Sequence, residues 1–95
     1  MVKASFNGVI IAQSNETILM EDNHYFPLSS VDQTKLQSST TTTRCPWKGV
    51  ANYYDVVVDG ETQKDAAWTY LRPSLPAQEI KEHIAFWKGV KVEEV

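Results

Sequence analysis

The pair Asp59-Gly60 separates two long runs, Val50–Val58 and Glu61–Tyr70, that are rich in valine, tyrosine and tryptophan. Asp-Gly favours the positive backbone φ that both central positions of a type I′ turn require, so the pair folds the two runs into a hairpin. A two-residue turn sets Val58 opposite Glu61. Counting back, Asp55 meets Lys64 and Tyr54 meets Asp65. The opposite charges of Asp55 and Lys64 favour this register by roughly a few tenths of a kcal/mol. It also gathers Ala51, Tyr53, Val57, Ala66 and Trp68 on one face. Both faces carry aromatics, so each is expected to be partly covered.

Similar punctuation recurs along the chain. Asn7-Gly8 joins Lys3–Asn7 to Val9–Ala12 and places Phe6 opposite Val9 and Ala4 opposite Ile11. Thr17–Glu21 reads as a third strand, Asp22-Asn23 as a turn, and His24–Pro27 as a fourth strand. Ser30 followed by Gln33 fits a capping box, which predicts one or two helical turns over Val31–Leu36, packed through Val31 and Leu36. The Gln, Ser and Thr run Gln37–Thr43 is either a linker or an extended approach to Arg44 and Cys45, because Thr is β-branched. Two prolines in Leu71–Pro76 end the large hairpin. Beyond them, Ala77–Glu82 reads as one helical turn anchored by Ile80 and His83–Trp87 as extended; a Lys88-Gly89 turn and a last strand, Val90–Glu94, complete the chain. A helix over Ala77–Trp87 is the competing reading. No helical pattern exceeds about three turns, and turn signals recur every roughly 8–12 residues, so the expected class is mostly β.

Ninety-five residues make one domain, 1–95, with a single modest core. A net charge of −3, with nine Lys and Arg scattered from Lys3 to Lys91, argues against a nucleic-acid binder, which would carry a basic stripe. No apolar run approaches the roughly 20 residues of a membrane span. Met1-Val2-Lys3-Ala4 leads straight into strand, not into the apolar core of a signal peptide, so a cytoplasmic protein is expected. One cysteine, Cys45, excludes an internal disulfide and any Cys₂ or Cys₄ zinc knuckle. Neither a metal nor another cofactor is expected, and no P-loop, G-x-G-x-x-G, H-E-x-x-H or G-x-S-x-G motif is present.

Chemistry concentrates in Thr40–Gly49, which holds four threonines, Arg44, Cys45, Trp47 and Lys48. A Cys45 thiolate near Arg44 and Lys48 would be favoured by their positive charge, which makes it a candidate nucleophile or redox thiol. Against that, neither histidine lies nearby in sequence, and a buried free cysteine is a common core residue. If Arg44–Lys48 is extended, Arg44 and Lys48 share one face and can hold a carboxylate or phosphate, or else pair with Asp55 or Asp65 across strands. Trp47, Tyr53, Tyr54, Trp68 and Tyr70 are either core or the aromatic wall of a pocket. Asp65 can pair with Arg44 or serve as a base. The candidate site is therefore Thr43, Arg44, Cys45, Trp47 and Lys48 on one wall. Tyr53, Asp65, Trp68 and Tyr70 form the other.

Thr41-Thr42-Thr43-Arg44-Cys45-Pro46-Trp47-Lys48-Gly49, then Ala51-Asn52-Tyr53-Tyr54 and Asp65-Ala66-Ala67-Trp68-Thr69-Tyr70, resemble a small, mainly bacterial family known as domain of unknown function 427. Phe6–Ala12, Tyr25-Phe26-Pro27 and Ala85-Phe86-Trp87 fit the same pattern, so the resemblance spans the chain. It implies an antiparallel β-tent-like architecture of two packed sheets, with one or two short helical turns. Relatives in that fold include zinc-binding domains, a methionine sulfoxide reductase type and an aromatic-cage ligand binder, and the family has carried a nucleotidyltransferase-like label. The paired C-x-x-C motifs of the zinc-bearing relatives are absent. The expected function is binding of a small anionic or aromatic ligand, the one partner anticipated. An enzyme using Cys45, by thiol redox or group transfer, and a protein interaction module are the alternatives, and nothing in the sequence signals an oligomeric state.

Overall fold

The computed structural model describes residues 1–95 and consists of nine strands joined by tight turns and three 3₁₀ segments. The strands are β1 (Val2–Phe6), β2 (Val9–Ser14), β3 (Ile18–Met20), β4 (Asn23–Pro27), β5 (Leu36–Cys45), β6 (Gly49–Val58), β7 (Glu61–Thr69), β8 (His83–Phe86) and β9 (Lys91–Glu94). They form two antiparallel sheets, one ordered β2-β1-β9 and the other β3-β4-β8-β7-β6-β5. Mostly-β architecture in two sheets is what the turn spacing and the resemblance imply.

The six-stranded sheet is covered on both faces because its strands alternate apolar residues to both sides. Phe26, Val56, Val58, Ala67, Ile84 and Phe86 pack with Ala4 and Ile11 of the smaller sheet. Phe26 and Phe86 meet edge-on, with centroids 5.6 Å apart. Each such fully buried large side chain contributes about 1.5–3 kcal/mol. Their strand neighbours Tyr25, Trp68 and Ala85 point the other way, where Tyr70, Ala77 and Ile80 complete a second cluster. That second face carries the pocket.

Several details differ from the sequence expectation. Phe6 does oppose Val9, but a bulge sets Ala4 against Ala12 and leaves Ile11 as the extra residue on β2. The turn between β3 and β4 is Glu21-Asp22, with φ of 51° and 64°, so β3 ends and β4 begins one residue earlier than expected. Val31–Leu36 is not one helical piece. Ser30 Oγ donates back to Pro27 O, Val31 bridges to Ala12, and Asp32 caps the short 3₁₀ turn Gln33–Lys35 by accepting from Thr34 N. The carboxylate of Asp32 makes the cap expected of Ser30.

Gln37–Thr43 lies within the ten-residue strand β5, so the extended reading holds and the linker does not. In the large hairpin Val58 pairs with Glu61 as expected, and then the register jumps. Tyr54 faces Ala67 and Tyr53 faces Trp68, because Lys64, Asp65 and Ala66 together span the place opposite Asp55. The jump is two residues, so the faces assigned to Tyr53 and Trp68 are preserved. A 3₁₀ segment over Leu75–Ile80, strand β8 and strand β9 replace the competing long helix.

Candidate functional site

Lys48 lies in the turn Pro46–Lys48 between β5 and β6, and the chain after β7 holds that turn down. Ser74 N donates to Lys48 O at 2.9 Å, and Ser74 Oγ donates to Trp47 O. Gly49 follows with a φ of 112°, and a Cβ there would come within 3.3 Å of Arg72 O. Close backbone approach plus a positive φ is a combination only glycine meets without strain. With its backbone pinned, Lys48 turns inward and is only 6% exposed.

A buried ammonium needs a partner, and here it is Glu21 at the tip of the β3–β4 hairpin. Glu21 Oε1 accepts from Lys48 Nζ, and Oε2 accepts from Trp47 Nε1 at 3.3 Å. The ammonium also lies 5.1 Å from the Trp47 ring centroid and 5.6 Å from that of Tyr70, within cation–π range. Burial pushes Lys48 below the usual lysine range, while the adjacent Glu21 carboxylate favours its charged form.

Beside Lys48 opens a concavity of about 200 Å³, walled by Tyr25 of β4, Tyr53 of β6, Trp68 of β7, Tyr70 and Trp87, with Asn23 at its margin. Two of the ring pairs meet at steep angles. Trp68 meets Trp87 at 74° with centroids 5.5 Å apart, and meets Tyr25 at 89° and 6.2 Å. Tyr53 leans over both indoles, 6.4 Å from each. Perpendicular neighbours make corners, and corners enclose space that parallel stacks would fill.

Polar atoms anchor the rings. Trp68 Nε1 donates to Tyr25 OH at 3.2 Å, Trp87 Nε1 donates to Asp65 O at 2.6 Å, and the Tyr53 hydroxyl bonds that of Thr43 at 3.0 Å. Burial pushes the Tyr25 phenol up, against the opposing hydrogen bond from Trp68. Burial, and then the neighbouring Tyr25, Cys45 and Tyr53, push Tyr70 up strongly. Both stay protonated well above neutral pH and keep a hydroxyl proton to donate.

Of the residues expected to form the site, the structure brings Lys48, Tyr53, Trp68 and Tyr70 together around this concavity. Thr43 and Trp47 do not line it but bond residues next to it, Tyr53 and Glu21. Cys45 is half-buried against the second cluster, without a hydrogen-bonding base. His24 Nδ1 bonds the Thr17 hydroxyl, and His83 Nδ1 bonds Lys81 O.

Arg44 and Asp65 lie elsewhere. Arg44 is exposed at the end of β5 opposite Val50, because the turn at Pro46–Lys48 ends the extended segment that would have put it beside Lys48. Asp65 takes a φ of 53° in the β7 bulge. Its carboxylate accepts from Ser39 Oγ at 2.5 Å and Thr41 Oγ1 at 2.8 Å, which ties the middle of β5 to the sheet. These bonds hold the Asp65 carboxyl below the usual carboxylate range. Its partner among the cations is Lys64, not Arg44.

Sequence reasoning misses Glu21, Asn23, Tyr25 and Trp87. Tyr25 and Trp87 reach the pocket because β8 lies between β4 and β7, a long-range pairing that no local pattern reveals. A second, wider concavity of about 410 Å³ is bordered by Gly49, Val50, Asn52, Leu71 and Arg72. It has one cation and no aromatic ring, so it is larger but poorer in recognition chemistry. No three or more His, Cys, Asp or Glu side chains are placed to share a metal ion. No helix is long and apolar enough to cross a membrane.

Fold and concavity together define a small two-sheet β protein with an aromatic-walled pocket on the outer face of its larger sheet. The family model described as Domain of unknown function (DUF427) matches residues 1–95, and the chain belongs to that family. No curated protein matches it.

Proposed function

We propose that this protein binds a small flat molecule in the pocket of Tyr25, Tyr53, Trp68, Tyr70 and Trp87. One observation carries the reading: five aromatic rings from distant parts of the chain, with one buried ammonium, converge on a single concavity of about 200 Å³. Core packing alone does not call for a half-exposed Trp87 standing at 74° to Trp68 beside open space. The rings offer faces for stacking. Lys48 Nζ, the Asn23 amide and the Tyr25 and Tyr70 hydroxyls offer donors, so the complementary molecule has a planar body and an acceptor group. Recognition is favoured over catalysis because Cys45 has no base.

The test is a ligand-observed NMR screen of flat fragments, acids and amides included, against the wild type and Trp87→Ala. Trp87 is 44% exposed, so its truncation leaves the main core in place. Hits are expected from ring compounds that carry an acceptor, and Trp87→Ala is expected to weaken them about tenfold, a ring contact of roughly 1–2 kcal/mol. Binding indifferent to Trp87, or no hits among ring compounds, would overturn the proposal.

A further inference from the structure

Resting on the pocket reading above, we infer that the ligand is a flat carboxylic acid and that Glu21 is a resident stand-in for its carboxylate, displaced when the acid binds. The two members of the Glu21–Lys48 pair are unequally buried. The Lys48 side chain is 7% exposed and that of Glu21 is 50% exposed. A buried ammonium without a counter-anion is costly, whereas a half-exposed carboxylate returns to water at little cost. Lys48 therefore requires an anion, but not this particular one.

Geometry favours exchange over a fixed bridge. Lys48 itself borders the concavity, so its ammonium can be reached from the side where a ligand would sit. Glu21 comes from outside, at the tip of a two-residue turn whose residues both have positive φ, and the strand behind it, β3, is only three residues long and lies at the sheet edge. One Glu21 oxygen takes Lys48 and the other takes Trp47 Nε1, and of these two donors Lys48 is the one that also borders the concavity. No carboxylate lines the pocket to repel an incoming acid. An acid that stacks its ring among Tyr53, Trp68 and Trp87 and presents its carboxylate to Lys48 replaces one ion pair with another. The net desolvation of charge is then small.

The experiment compares benzoate with benzamide, and indole-3-acetate with indole-3-acetamide, by calorimetry on the wild type, Glu21→Gln and Lys48→Met, with the Trp47 indole N–H signal followed by NMR. Glu21→Gln removes the competing carboxylate and is expected to tighten the acids about five- to tenfold while leaving the amides unchanged. Lys48→Met is expected to abolish the preference for acid over amide. Adding acid, but not amide, to the wild type is expected to move the Trp47 signal as Glu21 departs. If Lys48→Met does not fold, the Glu21→Gln ratio and the Trp47 signal decide. Amides that bind as well as acids, with a ratio untouched by Glu21→Gln, overturn this inference and leave the pocket reading standing. Failure of all four compounds on every protein overturns both.

Discussion

Asp65 is legible in the sequence as chemically distinct and illegible as to its role. A carboxylate just ahead of Ala66-Ala67-Trp68 suggests a pocket wall. In the structure its hydroxyl partners are Ser39 and Thr41, and its backbone carbonyl holds the indole of Trp87. The residue thus supports the candidate site at one remove, by fixing a ring and the strand beside it. Its lowered pKa gives a sign for acid stability. Above the usual value of 3.8 the contribution of Asp65 is fully present, and it is lost as pH falls through the lower folded-state value. Asp65→Asn keeps a residue that tolerates the positive φ but removes the titration. Its stability is expected to vary less than that of the wild type between about pH 5 and about pH 2, as measured by urea unfolding at each pH. Asp32, also lowered by its bonds to Thr34, keeps part of the acid dependence in both proteins. Equal slopes in the two proteins would count against the carboxylate latch.

At the scale of elements, the tight turns are the most readable parts, because Asn-Gly and Asp-Gly state their backbone requirement outright. Glu21-Asp22 adopts the same conformation without glycine, so the sequence signal puts that turn one residue late. The jump in the β6–β7 register is hidden for another reason. Nothing local distinguishes Lys64-Asp65-Ala66 from ordinary strand, and the bulge is held by Asp65 N donating to Asp55 Oδ1 and by contacts from β5. The Pro46–Lys48 turn shows how one element aims a side chain. Gly49→Ala would strain a φ of 112° and press a methyl toward Arg72 O at 3.3 Å. The expected loss is about 1–3 kcal/mol in chemical denaturation. Affinity for flat acids is expected to fall as Lys48 shifts. Unchanged stability would mean that the turn is not held against Arg72–Ser74 as described.

For the whole molecule, the sequence conveys the class and one half of the candidate site. Lys48, Tyr53, Trp68 and Tyr70 lie on or beside a single hairpin, so pairing rules bring them together. Tyr25 and Trp87 are separated from them by long stretches and join only because β8 inserts between β4 and β7. That arrangement follows from packing of both faces of the larger sheet: Phe26 and Phe86 are drawn into the main core, which turns Tyr25 outward and leaves Trp87 at the pocket rim. On the proposed reading this outer face is a binding surface and not merely a lid on the sheet. A titration of ¹⁵N-labelled protein with indole-3-acetate, monitored through the indole N–H signals, tests it most directly. Signals of Trp68 and Trp87 are expected to move and saturate together, while the backbone amide of Leu71, at the second concavity, stays in place. Indole signals that stay fixed while the protein remains folded, or a response centred on Leu71, would contradict the claim.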